Sequence, residues 1–168
     1  IKNLSLSHPN ANVRLQALSI YAENFDFDLS TDYFQQIFND SSYQVIGEGL
    51  YQFTNFNSTD GLAMVREYKS SPIKSIQLAV TEVLAEYGDP TDDPFFVNKL
   101  NELKGYSLVQ LYELYQTYLG RLEDLNTAEM GVENIQDKLL QQDTWWVKIY
   151  GVNALIRLQE QKAVLVGA

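Results

Sequence analysis

The sequence predicts an all-α fold of the HEAT-like kind, an α-α superhelix (solenoid) of antiparallel helix pairs. Three observations predict it. Apolar residues recur with helical spacing, and no stretch sustains the period-two alternation of a strand. Ser, Thr, Asp and Asn stand at the heads of the apolar runs, where helices take their N-caps. Five segments also share one pattern, an apolar anchor followed five residues later by a second apolar residue. They are Val13 with Leu18, Val45 with Leu50, Ile73 with Leu78, Val109 with Leu114, and Val147 with Val152.

The shared pattern is read as the second helix of each pair. The position four after the anchor is small in three segments (Ala17, Gly49, Gly151), and the one after it is basic in three (Arg14, Lys74, Lys148). Anchors recur every 28 to 38 residues or so, near the short end of helical-repeat periods. Short polar turns precede four of these helices: His8-Pro9-Asn10, Asp40-Ser41-Ser42, Ser70-Ser71-Pro72 and Gln142-Asp143-Thr144. Each offers a cap before the apolar periodicity begins.

The first helices come between. Ser30 or Thr31 opens one through Phe38 with Tyr33, Phe34, Ile37 and Phe38 on a face. Ser58 or Thr59 opens the next, carrying Leu62, Met64, Val65 and Tyr68 and ending near Lys69. Asp92 or Asp93 before Pro94 fits an N-cap with a first-turn proline, for a helix carrying Phe95, Phe96, Leu100 and Leu103 that stops at Gly105. Thr127 opens the last, to about Leu140. One such pair cannot hide its own apolar face, so five second helices stacked beside four first helices are expected to share a continuous core. The amino end begins at a second helix whose partner is missing or poorly formed, and no Met opens the chain. The expectation is therefore a single HEAT-like domain over residues 1–168, the C-terminal fragment of a longer protein.

Composition narrows the function. With 168 residues, 45% of them hydrophobic, the chain suffices for one domain that buries ~70% of its unfolded surface. Cysteine is absent, which removes disulfides, thiolate metal sites and cysteine nucleophiles. A net charge of −10 repels phosphate backbones and anionic lipid, so neither nucleic acid nor membrane is an expected partner. No apolar stretch approaches the ~20 residues needed to span a bilayer, and the opening residues lack the layout of a signal peptide. The compartment stays open between periplasm, cell envelope and cytoplasm.

Candidate chemistry is sparse. The single histidine, His8, excludes two-histidine zinc motifs and reads as a turn or capping residue. The acidic turn from Gly88 to Pro94 lacks the alternating ligand spacing of a calcium loop and reads as a C-cap followed by an N-cap. The carboxylate pairs Asp26 with Asp28 and Glu123 with Asp124 have no companion nucleophile and read as solvated surface. No catalytic or metal-binding residue is therefore assigned. Tyr112, Tyr115 and Tyr118 recur every three residues on one helix. They form either a core stripe or a groove whose hydroxyls meet a partner. Trp145 and Trp146 point about 100° apart on a helix, which lets one ring fill the core while the other faces an adjoining surface. These five aromatics are the candidate partner-facing residues, and Val13, Val45, Ile73, Val109 and Val147 the candidate core anchors.

Residues 80–89 (Val-Thr-Glu-Val-Leu-Ala-Glu-Tyr-Gly-Asp), Phe95-Phe96, Leu103-Lys104-Gly105-Tyr106, residues 115–119 and Trp145-Trp146-Val147-Lys148 resemble the C-terminal helical domain of M1-family zinc aminopeptidases of the Bacteroidetes type. The resemblance covers roughly residues 70–158, and earlier residues agree as generic HEAT-like pairs. In that family the zinc and the peptidase chemistry belong to an upstream catalytic domain with a His-Glu-x-x-His site and a Gly-x-Met-Glu-Asn motif, and neither string occurs here. The resemblance implies a non-catalytic segment without a cofactor of its own, whose partner is that upstream domain and whose concave face meets peptide substrate. An acidic wall there would attract a peptide's ammonium end. The alternative is a free-standing HEAT-like scaffold for protein–protein interaction.

Overall fold

A computed structural model describes the backbone of residues 1–166 and the side chains of residues 1–163. The protein is all-α, with no strand among the described residues. Its helices are α1 (Lys2–Ser7), α2 (Ala11–Asn24), α3 (Thr31–Phe38), α4 (Tyr43–Phe56), α5 (Ser58–Glu67), α6 (Lys74–Tyr87), α7 (Asp93–Glu102), α8 (Gly105–Arg121), α9 (Leu125–Leu140) and α10 (Trp145–Val166). Single 3₁₀ turns occupy Asp26–Asp28 and Pro90–Asp92. The contacts divide the chain into two compact units, Ile1–Val83 and Leu84–Ala168.

Some caps act where the sequence places them, but α5, which opens at Ser58, is capped by Asn57 (Asp60 N–H to Asn57 Oδ1 3.2 Å), and Ser42 before α4 and Asp92 before α7 make no side-chain cap bond. Asn10 accepts from the Asn12 N–H at 2.9 Å, and the Ser30 hydroxyl from the Tyr33 N–H at 3.3 Å. Asp124 accepts from the Asn126 N–H at 3.1 Å, so α9 opens slightly earlier than Thr127 suggests. The six-residue α1 supplies a short partner ahead of α2. Gly105 is a correction: α7 ends at Glu102, and Gly105, at φ +56°, opens α8 instead of closing the helix before it.

In the first unit, α3 and α4 run antiparallel. Phe34 meets Phe53 and Phe56, with ring centroids 5.2 and 5.7 Å apart, while Ile37 lies against Gly49. Leu18, Tyr21, Tyr33, Phe34, Ile37, Val45 and Phe53 make the buried core. The small residue at Gly49 has a cause, since a Cβ there would stand 2.5 Å from Ile37 Cγ2. At the α2 end, Arg14 holds Asp40 in a two-point pair (Nε to Oδ2 2.6 Å, Nη2 to Oδ1 2.7 Å) and donates to the His8 carbonyl. Burial pushes the Asp40 carboxyl up, but Arg14 and the Ser42 N–H outweigh it and hold it below its ordinary value. His8 is half-buried, caps the end of α1 and accepts from the Asn10 N–H at 3.1 Å.

In the second unit, α7 with α8 and α9 with α10 form antiparallel pairs. Phe96 of α7 lies on Tyr115 and Tyr118 of α8, and Leu139 of α9 lies against Gly151 of α10. Like helices run parallel, because Tyr112 of α8 meets Gly151 while Gln116, one turn on, bonds Gln161 at 2.8 Å.

The five anchors do not share one environment. Val45, Val109 and Val147 are buried, but Val13 and Ile73 are half-buried, and Ile73 precedes α6. Their downstream partners diverge further: Leu18 and Leu50 are buried, whereas Leu78 and Val152 are exposed. The inward line is set in each helix by what packs on it, so the fixed five-residue register holds for part of the chain.

Candidate functional site

The tyrosine stripe is core. Tyr112, Tyr115 and Tyr118 are fully buried, which corrects their assignment as partner-facing residues. Tyr115 and Tyr118 stack on Phe96 at 5.1 and 4.5 Å between centroids. Their hydroxyls are used internally, Tyr115 donating to Asp93 Oδ1 and Tyr118 to the Asp89 carbonyl, each at 2.7 Å. Burial drives both phenols well above their ordinary value, and Tyr112 up to about 12. The Tyr112 hydroxyl finds no hydrogen-bond partner among the described residues.

These bonds explain the acidic turn. Asp89 caps the Pro90–Asp92 turn through the Thr91 N–H at 2.9 Å, and Asp92 accepts from the Asp89 N–H at 3.0 Å. Arg121 reaches back to the carbonyls of Gly88 and Ala85. The carboxylates of this segment cap and brace helix ends. Asp93, at the start of α7, is buried, and burial pushes its carboxyl up against only partial relief from Tyr115. Among the described residues no group of three or more His, Cys, Asp or Glu side chains is placed to hold a metal ion. No helix among them is long and apolar enough to cross a membrane.

Exposed apolar residues also line one side of α10. Val147, Gly151, Ala154 and Leu158 form its buried line. On the opposite side Trp145 (71% exposed), Ile149 (49%), Val152 (46%) and Ile156 (49%) follow the same four-three-four spacing. A helix apolar on two opposed faces presents one of them for covering by something else. Trp146 is half-buried, so of the two tryptophans Trp145 is the outward one. Beside this crest, α9 and α10 frame a groove of about 370 Å³. Leu125, Ala128, Val132, Leu155 and Leu158 give it apolar walls, and Glu129, Gln136, Gln159 and Lys162 give it polar ones. Lys162 is half-buried and donates to the Leu122 carbonyl. Burial lowers its pKa.

The sequence offers both tryptophans as partner-facing without choosing between them, and it marks neither the groove nor Lys162. No signal marks Lys162, because a lysine near a helix end is ordinary solvated charge until its stem is covered. Arg14 carried a faint signal as one of the recurrent basic residues after an anchor. Residues 84–121 of the family resemblance converge on one assembly of buried rings and helix-end bonds, and Trp145 of its tryptophan pair heads the exposed crest. The geometry defines an all-α protein with an exposed apolar crest on α10. Comparison with family models, curated proteins and solved structures found no match.

Proposed function

We propose that this chain is the non-catalytic C-terminal helical domain of an M1-family zinc metallo-aminopeptidase, packing on the catalytic domain and shaping access to its active site. Zinc, on this reading, belongs to that upstream domain. The observation that carries the proposal is the exposed crest from Trp145 to Ile156, headed by Trp145 of the resemblance's tryptophan pair. A covalently attached neighbour at high effective concentration would cover it without a large interface. The rest of the resembling segment supports a structural role, since Tyr115, Tyr118, Asp89 and Arg121 are spent on internal bonds.

The test has two arms. The gene upstream of residue 1 is expected to encode His-Glu-x-x-His and Gly-x-Met-Glu-Asn, and its lack of both would end the proposal. The chain alone is expected to fold and to release no amino acid from a chromogenic aminoacyl substrate, with or without added zinc. Turnover by the isolated chain would be equally fatal. A second reading, a free-standing HEAT-like scaffold, is favoured by the α9–α10 groove, and the same upstream sequence separates the two.

A further inference from the structure

The groove between α9 and α10 is elongated. Its α9 wall runs from Leu125 through Ala128 and Val132 to Gln136, about three helical turns or ~16 Å. Its α10 wall, Leu155, Leu158 and Gln159 to Lys162, runs the opposite way. At about 370 Å³ it has room for the side chains along one face of a helix, not for the helix itself. Such a trough between two antiparallel helices suits an amphipathic helix that lays its i, i+3, i+4 and i+7 residues into it. On the α10 side the wheel places Leu155 and Gln159 next to the crest residues Val152 and Ile156, so the apolar surface continues over the rim.

Lys162 gives the trough a charge preference. The residue is half-buried, and among the described residues its ammonium is held by one neutral acceptor, the Leu122 carbonyl. No carboxylate among the described residues pairs with it. Two of its three protons therefore stay available, and a partly desolvated cation gains more from an anion than a surface lysine does. Glu129 also lines the groove but is exposed. A second copy of this chain fits poorly, because the apolar face it would offer is the α10 crest, flanked by Lys148. Lys148 is a cation and not the anion that Lys162 favours.

We propose that the α9–α10 groove is a docking site for an amphipathic helix of a partner protein, whose apolar ridge fills the trough and whose flanking carboxylate pairs with Lys162. The site is independent of the peptidase reading and stands or falls apart from it.

The test uses the full chain and two fluorescent helical peptides with leucines at i, i+3, i+4 and i+7. One carries glutamates along one flank and the other lysines at the same positions. Anisotropy titrations are expected to show the glutamate peptide binding at least about tenfold more tightly. Lys162→Glu reverses that order, and Lys162→Met makes the two peptides equal. Val132→Arg, at the half-buried wall, abolishes binding of both while circular dichroism keeps its helical signal. Equal binding of the two peptides to the natural chain would overturn the proposal, as would a preference that survives Lys162→Glu. So would failure of both peptides to bind at millimolar concentration, and so would displacement of the glutamate peptide by decanoate at lower concentration than the peptide's own, which would make the groove a small-carboxylate site.

Discussion

Asp93 and Tyr115 meet at 2.7 Å in the interior of the second unit, and the pair shows how a buried polar group sets a pH dependence. Burial raises the Asp93 carboxyl above its unfolded value more than the Tyr115 hydroxyl lowers it. The folded state therefore keeps the proton over a range where the unfolded chain has lost it, and stability falls as pH rises through that range from the ordinary carboxyl value upward. Asp93→Asn keeps an acceptor for Tyr115 and removes the charge. Denaturant midpoints of the two proteins are expected to coincide below the ordinary carboxyl pKa, with the variant pulling ahead as pH rises and the gap levelling off. A gap that is constant with pH would show that ionisation of Asp93 is not the cause. Asp40 works in the opposite sense, its pKa lowered by Arg14 and Ser42, so its contribution is lost as pH falls through the acid range. Tyr112 is simpler. Its hydroxyl is buried without a partner among the described residues, so Tyr112→Phe removes an unpaired polar atom and keeps the ring. Such a change is expected to be neutral or stabilising by up to about 1 kcal/mol, read as an unchanged or raised thermal midpoint. A loss beyond that would reveal a partner for the hydroxyl.

Two glycines separate space from conformation at the level of the helix. A Cβ on Gly61 of α5 would stand 2.5 Å from the Thr54 Cα of α4, a backbone atom that no rotamer can move. Gly61→Ala gains ~1 kcal/mol of helix propensity but costs up to ~3 kcal/mol of overpacking at a backbone contact. The net loss is expected to be about 2 kcal/mol, a fall of some 4–8 °C in thermal midpoint. Gly105 has nothing within 4 Å of the added carbon, but its φ of +56° is left-handed. There Asn is expected to be tolerated better than Ala, which reverses their order in a helix interior. Equal loss from Ala and Asn at residue 105 would remove the conformational explanation. The same scale shows what the sequence makes legible. Ser30 and Asn10 announced helix starts because a cap is a local bond between a side chain and an N–H close ahead of it, whereas Asp124, the cap of α9, was passed over for Thr127. The direction of a face is not local. Tyr112, Tyr115 and Tyr118 declared a shared stripe, but whether it faced a core or a partner depended on Phe96, some twenty residues away. On α10, Trp145-Ile149-Val152-Ile156 and Val147-Gly151-Ala154-Leu158 satisfy the same periodicity, and hydrophobicity alone would bury the first. The structure buries the second, because Gly151 admits Leu139 and Tyr112 where a larger residue would hold them off. Smallness, not hydrophobicity, was the informative signal.

At the scale of the whole molecule, two features act against each other. The chain carries a net charge of −10, which keeps copies apart at long range. It also exposes the apolar crest from Trp145 to Ile156, which copies would cover if they met. The crest lies on a helix with three cations, Lys148, Arg157 and Lys162, against one carboxylate, Glu160, so the repulsion comes from the rest of the chain and acts from a distance. Salt shortens that distance. The Debye length falls from ~30 Å at 0.01 M to ~8 Å at 0.15 M and ~3 Å at 1 M, while burial of apolar surface needs no charge and is not weakened by screening. The mass measured by light scattering is therefore expected to stay monomeric at low ionic strength and to rise with salt at fixed protein concentration. Ile149→Glu, which puts a charge in the middle of the crest without touching the buried line of α10, is expected to keep the protein monomeric throughout. Arg157→Ala, off the crest, is expected to leave the salt response in place. A mass that is constant with salt in the natural chain, or a response that Ile149→Glu does not remove, would show that this face is not adhesive on its own. The crest would then require a partner shaped to it.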